Sequence, residues 1–216
     1  MGESAAGAHV LGLDLAGPAN ARDTAAVLVR FRAGKPTLLA AETGHDDDAI
    51  VSLLPPGGKL IVGLDAPLSY QPGGGDRAGD RELRRLLTGR GLTAGTVMAP
   101  TMTRMAYLTL RGMAIARLVA TLRPDARIVE VHPAGALVMR GADPGDVRAL
   151  KRSPAARSRL IDVLSAAGLG PGMPKGAGDH LVAAAAAALA AWDWSRGDAR
   201  WRRDAEPPLH PYDYAC

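Results

Sequence analysis

Hydrophobic and polar positions change rhythm several times along the chain, and each change marks an element. Residues 9–15, "HVLGLDL", are apolar without alternation, the pattern of a strand buried on both faces. A turn rich in Gly, Pro and Asn follows. Two strands come next, "TAAVLVRF" from Thr24 and "PTLLAAE" from Pro36, with "RAGK" as the hairpin between them. "HDDDAIVSLL" reads as a helix whose aspartates sit at its N-terminus, where capping and the helix dipole favour them. "KLIVGLDAPLSY", residues 59–70, opens on a second non-alternating strand. "GDRELRRLL" is a short basic helix entered from the Gly-rich loop at 73–75.

Beyond a loop at 89–101, "TRMAYLTLRGMAIARLVATL" repeats with helical period up to Pro124. "ARIVEVHP" alternates, so Ile128, Glu130 and His132 share one face of a fifth strand. Ser153 caps a helix running towards Gly168, with Pro154 in its first turn. After a Gly/Pro linker, "GDHLVAAAAAALAAWDW" starts a long last helix with Asp179 near its N-terminus. From Ser195 the chain turns polar, arginine-rich and weakly periodic. Residues 1–195 are therefore expected to form one domain, with 196–216 a basic tail packed on it or extending from it.

The first three strands can form an antiparallel meander, whereas strands four and five need helical crossovers and so pair in parallel. That is the plan of a ribonuclease-H-like α/β domain, a five-stranded mixed sheet in the order 3-2-1-4-5 flanked by helices. In this order strand four lies beside strand one. Each of the two ends on "GLD", so Asp14 and Asp65 should emerge side by side, with a glycine two residues earlier leaving room on the same face. Carboxylates held this close raise one another's pKa unless a cation neutralises them. Oxygen ligands without His or Cys favour Mg²⁺ or Mn²⁺ over zinc. A pair of such ions roughly 3.5–4 Å apart clamps a scissile phosphate and activates water. Asp179 and Glu130 are the further carboxylates available. Each residue also has a simpler reading: strand-end aspartates form turns, Asp179 can cap its helix, Glu130 can be an ion-pair partner, and His132 can cap or pack.

Composition changes this picture little. With 216 residues and 47% apolar content, the chain can bury a substantial core, and an aromatic share of 4% makes that core mostly Ala, Leu and Val. Lys and Arg outnumber Asp and Glu by 26 to 22, a balance that suits anionic partners but also an arginine-rich surface. The single cysteine, Cys216, excludes an internal disulfide or a thiolate metal cluster. "MGESAAGAH" lacks the features of a signal peptide, and the run Leu181–Trp192 is too short to span a bilayer, so a cytoplasmic, non-membrane protein is expected.

Taken together, "GLDLAGP", "VGLDAPLSY", "GDRELRR", "VEVHPAGAL", "LKR" at 150–152 and "GDHLVAAAAAALAA" resemble domain-of-unknown-function family 429, described as predicted nucleases of ribonuclease H fold. The resemblance runs from about residue 9 to residue 192. Asp14 and Asp65 fill the family's two "GLD" positions. Arg77, Asp80, Arg81 and Arg84 match its R-x-x-D-R-x-x-R element, and Glu130, His132 and Pro133 match E-V-(Y/H)-P. The family often has two acidic positions before its final helix; here only Asp179 remains, with Gly176 at the other, which implies a weakened second metal site. Leu150-Lys151 stands in place of Tyr-Lys.

The expectation is a metal-dependent nuclease or related phosphodiester hydrolase. Asp14, Asp65 and Asp179 would hold Mg²⁺ or Mn²⁺ and Glu130 would join them in catalysis. Arg77, Asp80, Arg81, His132 and Lys151 would meet a nucleic acid or other phosphate-bearing substrate. Trp192, Trp194 and Trp201, interleaved with arginines, could stack on bases, pack the tail, or join a homodimer. The alternatives are a non-catalytic nucleic-acid or nucleotide-binding protein on the same fold, and a sugar-kinase or actin-type phosphotransferase. The latter calls for a second comparable domain, for which the chain has no room.

Overall fold

A computed structural model of the protein describes residues 7–169 and 172–216. The start of the chain, read above for targeting signals, and part of the Gly/Pro linker lie outside the described residues.

The long strands are β1 (Ala8–Asp14), β2 (Ala25–Arg32), β3 (Lys35–Thr43), β4 (Leu60–Asp65) and β5 (Arg127–Val131). β1, β2 and β3 form the expected meander, and β4 pairs in parallel with both β1 and β5. The hairpin between β2 and β3 closes on Ala33 and Gly34, both at positive φ (49° and 74°), the geometry of a tight primed turn. The expectation of five strands needs correction. Two short strands from the tail, β6 (Arg202–Arg203) and β7 (Tyr214–Ala215), extend the sheet to seven in the order 3-2-1-4-5-7-6. β7 runs parallel to β5, and Tyr214, Ala215 and Cys216 are buried. Two-residue strands carry no readable alternation, so this part of the sheet leaves almost no sequence signal.

Helices cover both faces: α1 (Asp47–Ser52), α2 (Ala78–Thr88), α3 (Met105–Leu122), α4 (Pro133–Met139), α5 (Pro144–Ala149), α6 (Pro154–Ala166) and α7 (Asp179–Arg196). α4 and α5 were not expected. Both are short, and each begins with a proline at its first turn behind a capping side chain, His132 or Asp143. Alternation along the parallel strands sorts the core. Val10, Ile61 and Val129 join a cluster with the alanines of α7, whereas Leu11, Leu13, Val62, Leu64 and Ile128 join Ile115, Ala116 and Val119 of α3. α3 is the one helix among the described residues long and apolar enough to cross a membrane by length and composition, with mean hydropathy 1.3 and 33% of it buried. It packs on the sheet, and its buried Arg111 ties it to Asp47, the Thr24 hydroxyl and the Ala16 carbonyl.

The glycines of the twin "GLD" explain how α7 reaches the sheet. A Cβ on Gly12 would lie 2.1 Å from the Ala184 carbonyl oxygen, and one on Gly63 would lie 2.7 Å from that of Ala187. The run Ala183–Ala188 is buried throughout. Helix backbone therefore rests almost directly on strand backbone, and the start of α7 is carried to the strand exits.

Candidate functional site

Asp14 and Asp65 are register partners at the ends of β1 and β4, as Gly12 and Gly63 are two residues earlier. Their carboxyls are close enough to share a hydrogen bond when one is protonated. Burial pushes the Asp65 carboxyl well above the usual carboxylate range, reinforced by the charge and hydrogen bond of Asp14 and by the charge of Glu130; the nearby Lys151 ammonium opposes this. Burial also raises Asp14, but less, because the hydrogen bond and charge of His180 oppose it.

His180 is the residue that sequence reasoning missed. Its Nδ1 lies 2.7 Å from Asp14 Oδ2, while its Nε2 lies 4.0 Å from Asp179 Oδ2, so the ring stands between the two carboxylates. The Asp14 hydrogen bond and charge raise the His180 pKa. Its sequence signals were adjacency to Asp179 and its place in the "GDHLVAAAAAALAA" segment, neither of which gave it a role. Gly178 occupies the N-cap of α7, and Asp179 is the first residue inside the helix without a capping hydrogen bond. The simple capping reading of Asp179 therefore does not hold; its charge faces the positive helix end and His180.

Glu130 sits in register with Leu64, one step back from Asp65. Its Oε2 accepts from the Leu68 amide at 2.8 Å and from Arg77 Nη1 at 2.7 Å, and its Oε1 accepts from Arg77 Nη2 at 2.5 Å. Arg77 is buried and also donates to both Asp80 oxygens and to the Ser69 hydroxyl. Its carboxylate partners, above all Glu130, raise its pKa against the effect of burial, so it is permanently charged. Asp80, almost fully buried, also accepts from the Arg77 backbone amide and so closes the start of α2. This Glu130–Arg77–Asp80 network pins the "APLS" segment that follows Asp65. Arg77 and Asp80, expected at the substrate, fix this loop and also line the cavity that contains Asp65 and Lys151.

His132 caps α4. Its Nδ1 accepts from the Gly135 amide at 3.0 Å, which leaves Nε2–H to donate to the Thr96 carbonyl at 3.1 Å. Burial lowers its pKa, so the ring is neutral and both nitrogens are used. Arg81 is exposed, with Nη1 donating to the Asp76 carbonyl at 2.7 Å. Lys151, also exposed, lines a cavity of about 280 Å³ together with Asp65, Glu130, His132 and Met98. Arg81 does not line that cavity. The tryptophans are used internally: Trp192 stacks on Phe31 at 4.1 Å, Trp194 donates to Asp213 and Trp201 donates to Glu82.

The donor chemistry of Asp14 and Asp65 fits a hard divalent cation: both are oxygen ligands in surroundings that favour an added positive charge. Among the described residues, however, no three His, Cys, Asp or Glu side chains converge into a ready metal cluster. The His180 ring keeps Asp179 apart from the pair. The site is thus a two-carboxylate corner with a histidine counter-charge and a lysine at its mouth.

These features define an α/β protein with paired carboxylates at adjacent parallel strand exits. The chain belongs to the family described as "Protein of unknown function (DUF429)", which matches residues 12–207 and so includes β6 of the tail. No curated protein and no solved structure matches the chain.

Proposed function

We propose that the protein is a cytoplasmic, metal-dependent phosphodiester hydrolase of ribonuclease-H-like fold, acting on nucleic acid. The observation that carries this reading is the in-register pair Asp14 and Asp65 at the exits of neighbouring parallel strands, with Asp179 delivered to the same corner by α7. Asp14 and Asp65 would hold Mg²⁺ or Mn²⁺, with Asp179 and His180 nearest to complete the set. When bound, the ion supplies an activated water and stabilises charge on the phosphate's leaving oxygen. Lys151 meets the phosphate as a mobile cation at the cavity mouth. The Glu130–Arg77–Asp80 network holds the loop after Asp65 so that its carboxylate keeps one position.

A second reading, a non-catalytic nucleic-acid-binding protein on the same fold, is favoured by one observation: His180 Nδ1 already engages Asp14 Oδ2 at 2.7 Å. Cleavage of labelled single-stranded, double-stranded and hybrid oligonucleotides, with Mg²⁺, Mn²⁺ or chelator, decides between them. Metal-dependent cleavage by the wild type, lowered by about 10²-fold or more in Asp65→Asn, supports hydrolysis. Binding without cleavage, unaffected by chelator, supports the second reading.

A further inference from the structure

The structure has a second cavity beside the carboxylate corner. Its volume is about 800 Å³, and Met98, Met105 and Leu108 line both it and the smaller cavity that contains Asp65 and Lys151. Its own residues include Asn20, Arg104 and Tyr107. The volume lies in the range of sites that bury a single small ligand, about 300–1,000 Å³. The larger cavity is therefore a continuation of the carboxylate cleft along the start of α3.

The chemistry of this groove is specific. Tyr107 is 63% exposed, an unusual position for an aromatic ring on a helix whose opposite face is core. Arg104 and Asn20 are exposed as well, and no ion pair or side-chain hydrogen bond among the described residues engages Asn20, Arg104 or Tyr107. A flat ring, a guanidinium and a free amide along an apolar wall suit a ligand with a π-face, an anionic backbone and a polar edge. An unpaired nucleotide has all three. A base inside a duplex does not, because both of its faces are covered by its neighbours in the stack.

We infer that the groove of Asn20, Arg104 and Tyr107 is a subsite for an unpaired nucleotide adjoining the phosphate held at the carboxylate corner. Tyr107 stacks on the base, Arg104 meets the backbone phosphate and the Asn20 amide reaches the base edge. The tryptophans of α7 and the tail are engaged within the fold, so single-strand stacking falls to Tyr107. The inference deepens the hydrolase reading by naming the substrate form, and it rests on that reading only for what occupies the carboxylate corner.

The test is fluorescence anisotropy of the full-length chain in chelator, where cleavage plays no part. The probes are a fluorescein-labelled oligothymidylate of about six nucleotides, within the reach of single-strand grooves of this kind, and a blunt duplex. The single strand should bind more tightly at low salt. Tyr107→Ala should weaken single-strand binding at least about five-fold and leave duplex affinity unchanged, while Tyr107→Phe retains wild-type affinity. Arg104→Ala should lower the salt slope by about one unit. Because Tyr107 is mostly exposed, an unchanged melting temperature will show that the variant is folded. No low-salt binding of the single strand, unchanged binding by Tyr107→Ala, or equal losses on both probes would overturn the inference. So would a change of particle mass in Tyr107→Ala by light scattering with oligonucleotide affinity unaltered, which would make the groove a subunit interface. Failure of metal-dependent cleavage leaves a positive binding result standing, and failure of the subsite leaves cleavage at Asp65 standing.

Discussion

At the scale of single residues, Asp65 carries the largest imbalance in the site. Its pKa is raised, so the folded state holds a proton that the unfolded chain has released. The sign follows: this contribution to stability is fully present below the ordinary aspartate pKa of about 3.9 and is lost as pH rises through the folded value. Asp65→Asn keeps the shape without the charge. In chelator it should be more stable than the wild type at pH ~8 by about 0.5–2 kcal/mol, a gain typical of relieving a strained functional site. The difference should shrink as pH falls and vanish below the ordinary aspartate pKa of about 3.9, where Asp65 of the wild type is protonated in both states. Thermal melts across that range check it. A variant no more stable at high pH than at low pH would show that Lys151 and His180 already balance the pair. Mn²⁺ should bind the wild type with release of protons, because the cation displaces the proton on Asp65 and competes with His180 for Asp14. Calorimetric titration in two buffers of different ionisation enthalpy measures that release, and affinity should rise with pH.

At the scale of elements, two contacts place the site. The first is the seat of α7 on β1 and β4. Gly12→Ala drives a methyl into the helix backbone at Ala184, and neither partner is a flexible side-chain end that can swing away. Overpacking of this kind costs about 1–3 kcal/mol or more, so a fall in melting temperature of roughly 2–12 °C is expected. Because α7 also delivers Asp179 and His180, Mn²⁺ affinity should fall with it. A melting temperature within 1 °C or so of the wild type would mean that the helix shifts at little cost. The second contact is the buried network around Arg77. Removing that one cation leaves Glu130 and Asp80 as buried carboxylates without their partner, which costs about 3–5 kcal/mol. Arg77→Ala should be destabilised by that amount in denaturant titration. Arg77→Lys should recover only part of it, since an ammonium cannot donate in a fork to two carboxylates at once.

At the scale of the whole molecule, the tail completes the sheet beside the site. The Glu130 amide donates to the Asp213 carbonyl at 2.9 Å and the His132 amide donates to the Ala215 carbonyl at 3.2 Å, so β7 satisfies backbone that a five-stranded sheet would leave at an open edge. Tyr214 packs under the Arg77 guanidinium, 5.3 Å from ring centroid to Cζ, and edge-on to Trp201 at 5.1 Å. Deleting Tyr214–Cys216 should therefore lower stability by several kcal/mol, about the loss expected for a buried aromatic alone (3–5 kcal/mol), and should raise protease sensitivity. A truncated chain that melts like the wild type would show the tail to be an appendage after all.

The sequence by itself determined the parts whose signal is local. Non-alternating runs marked β1 and β4 because both faces of those strands are covered, short connections against long crossovers separated antiparallel from parallel pairs, and the ribonuclease-H-like plan that this pattern matches supplied the order 3-2-1-4-5. From that order alone Asp14 and Asp65 had to be neighbours, and they are. What only the tertiary structure decided concerns groups whose partners lie far away in the chain. Arg77 matched a motif, yet whether it faces substrate or Glu130, 53 residues on, depends on how α2 docks against β5. His180 sits 166 residues from Asp14, and nothing in its immediate neighbours foretells that contact. The same holds for β7, two residues long, which has no period of its own and becomes a strand because β5 offers it an unpaired edge. Periodicity records which face of an element is buried; it does not record what lies against that face, and in this protein the second fact sets the charge and the ligands of the site.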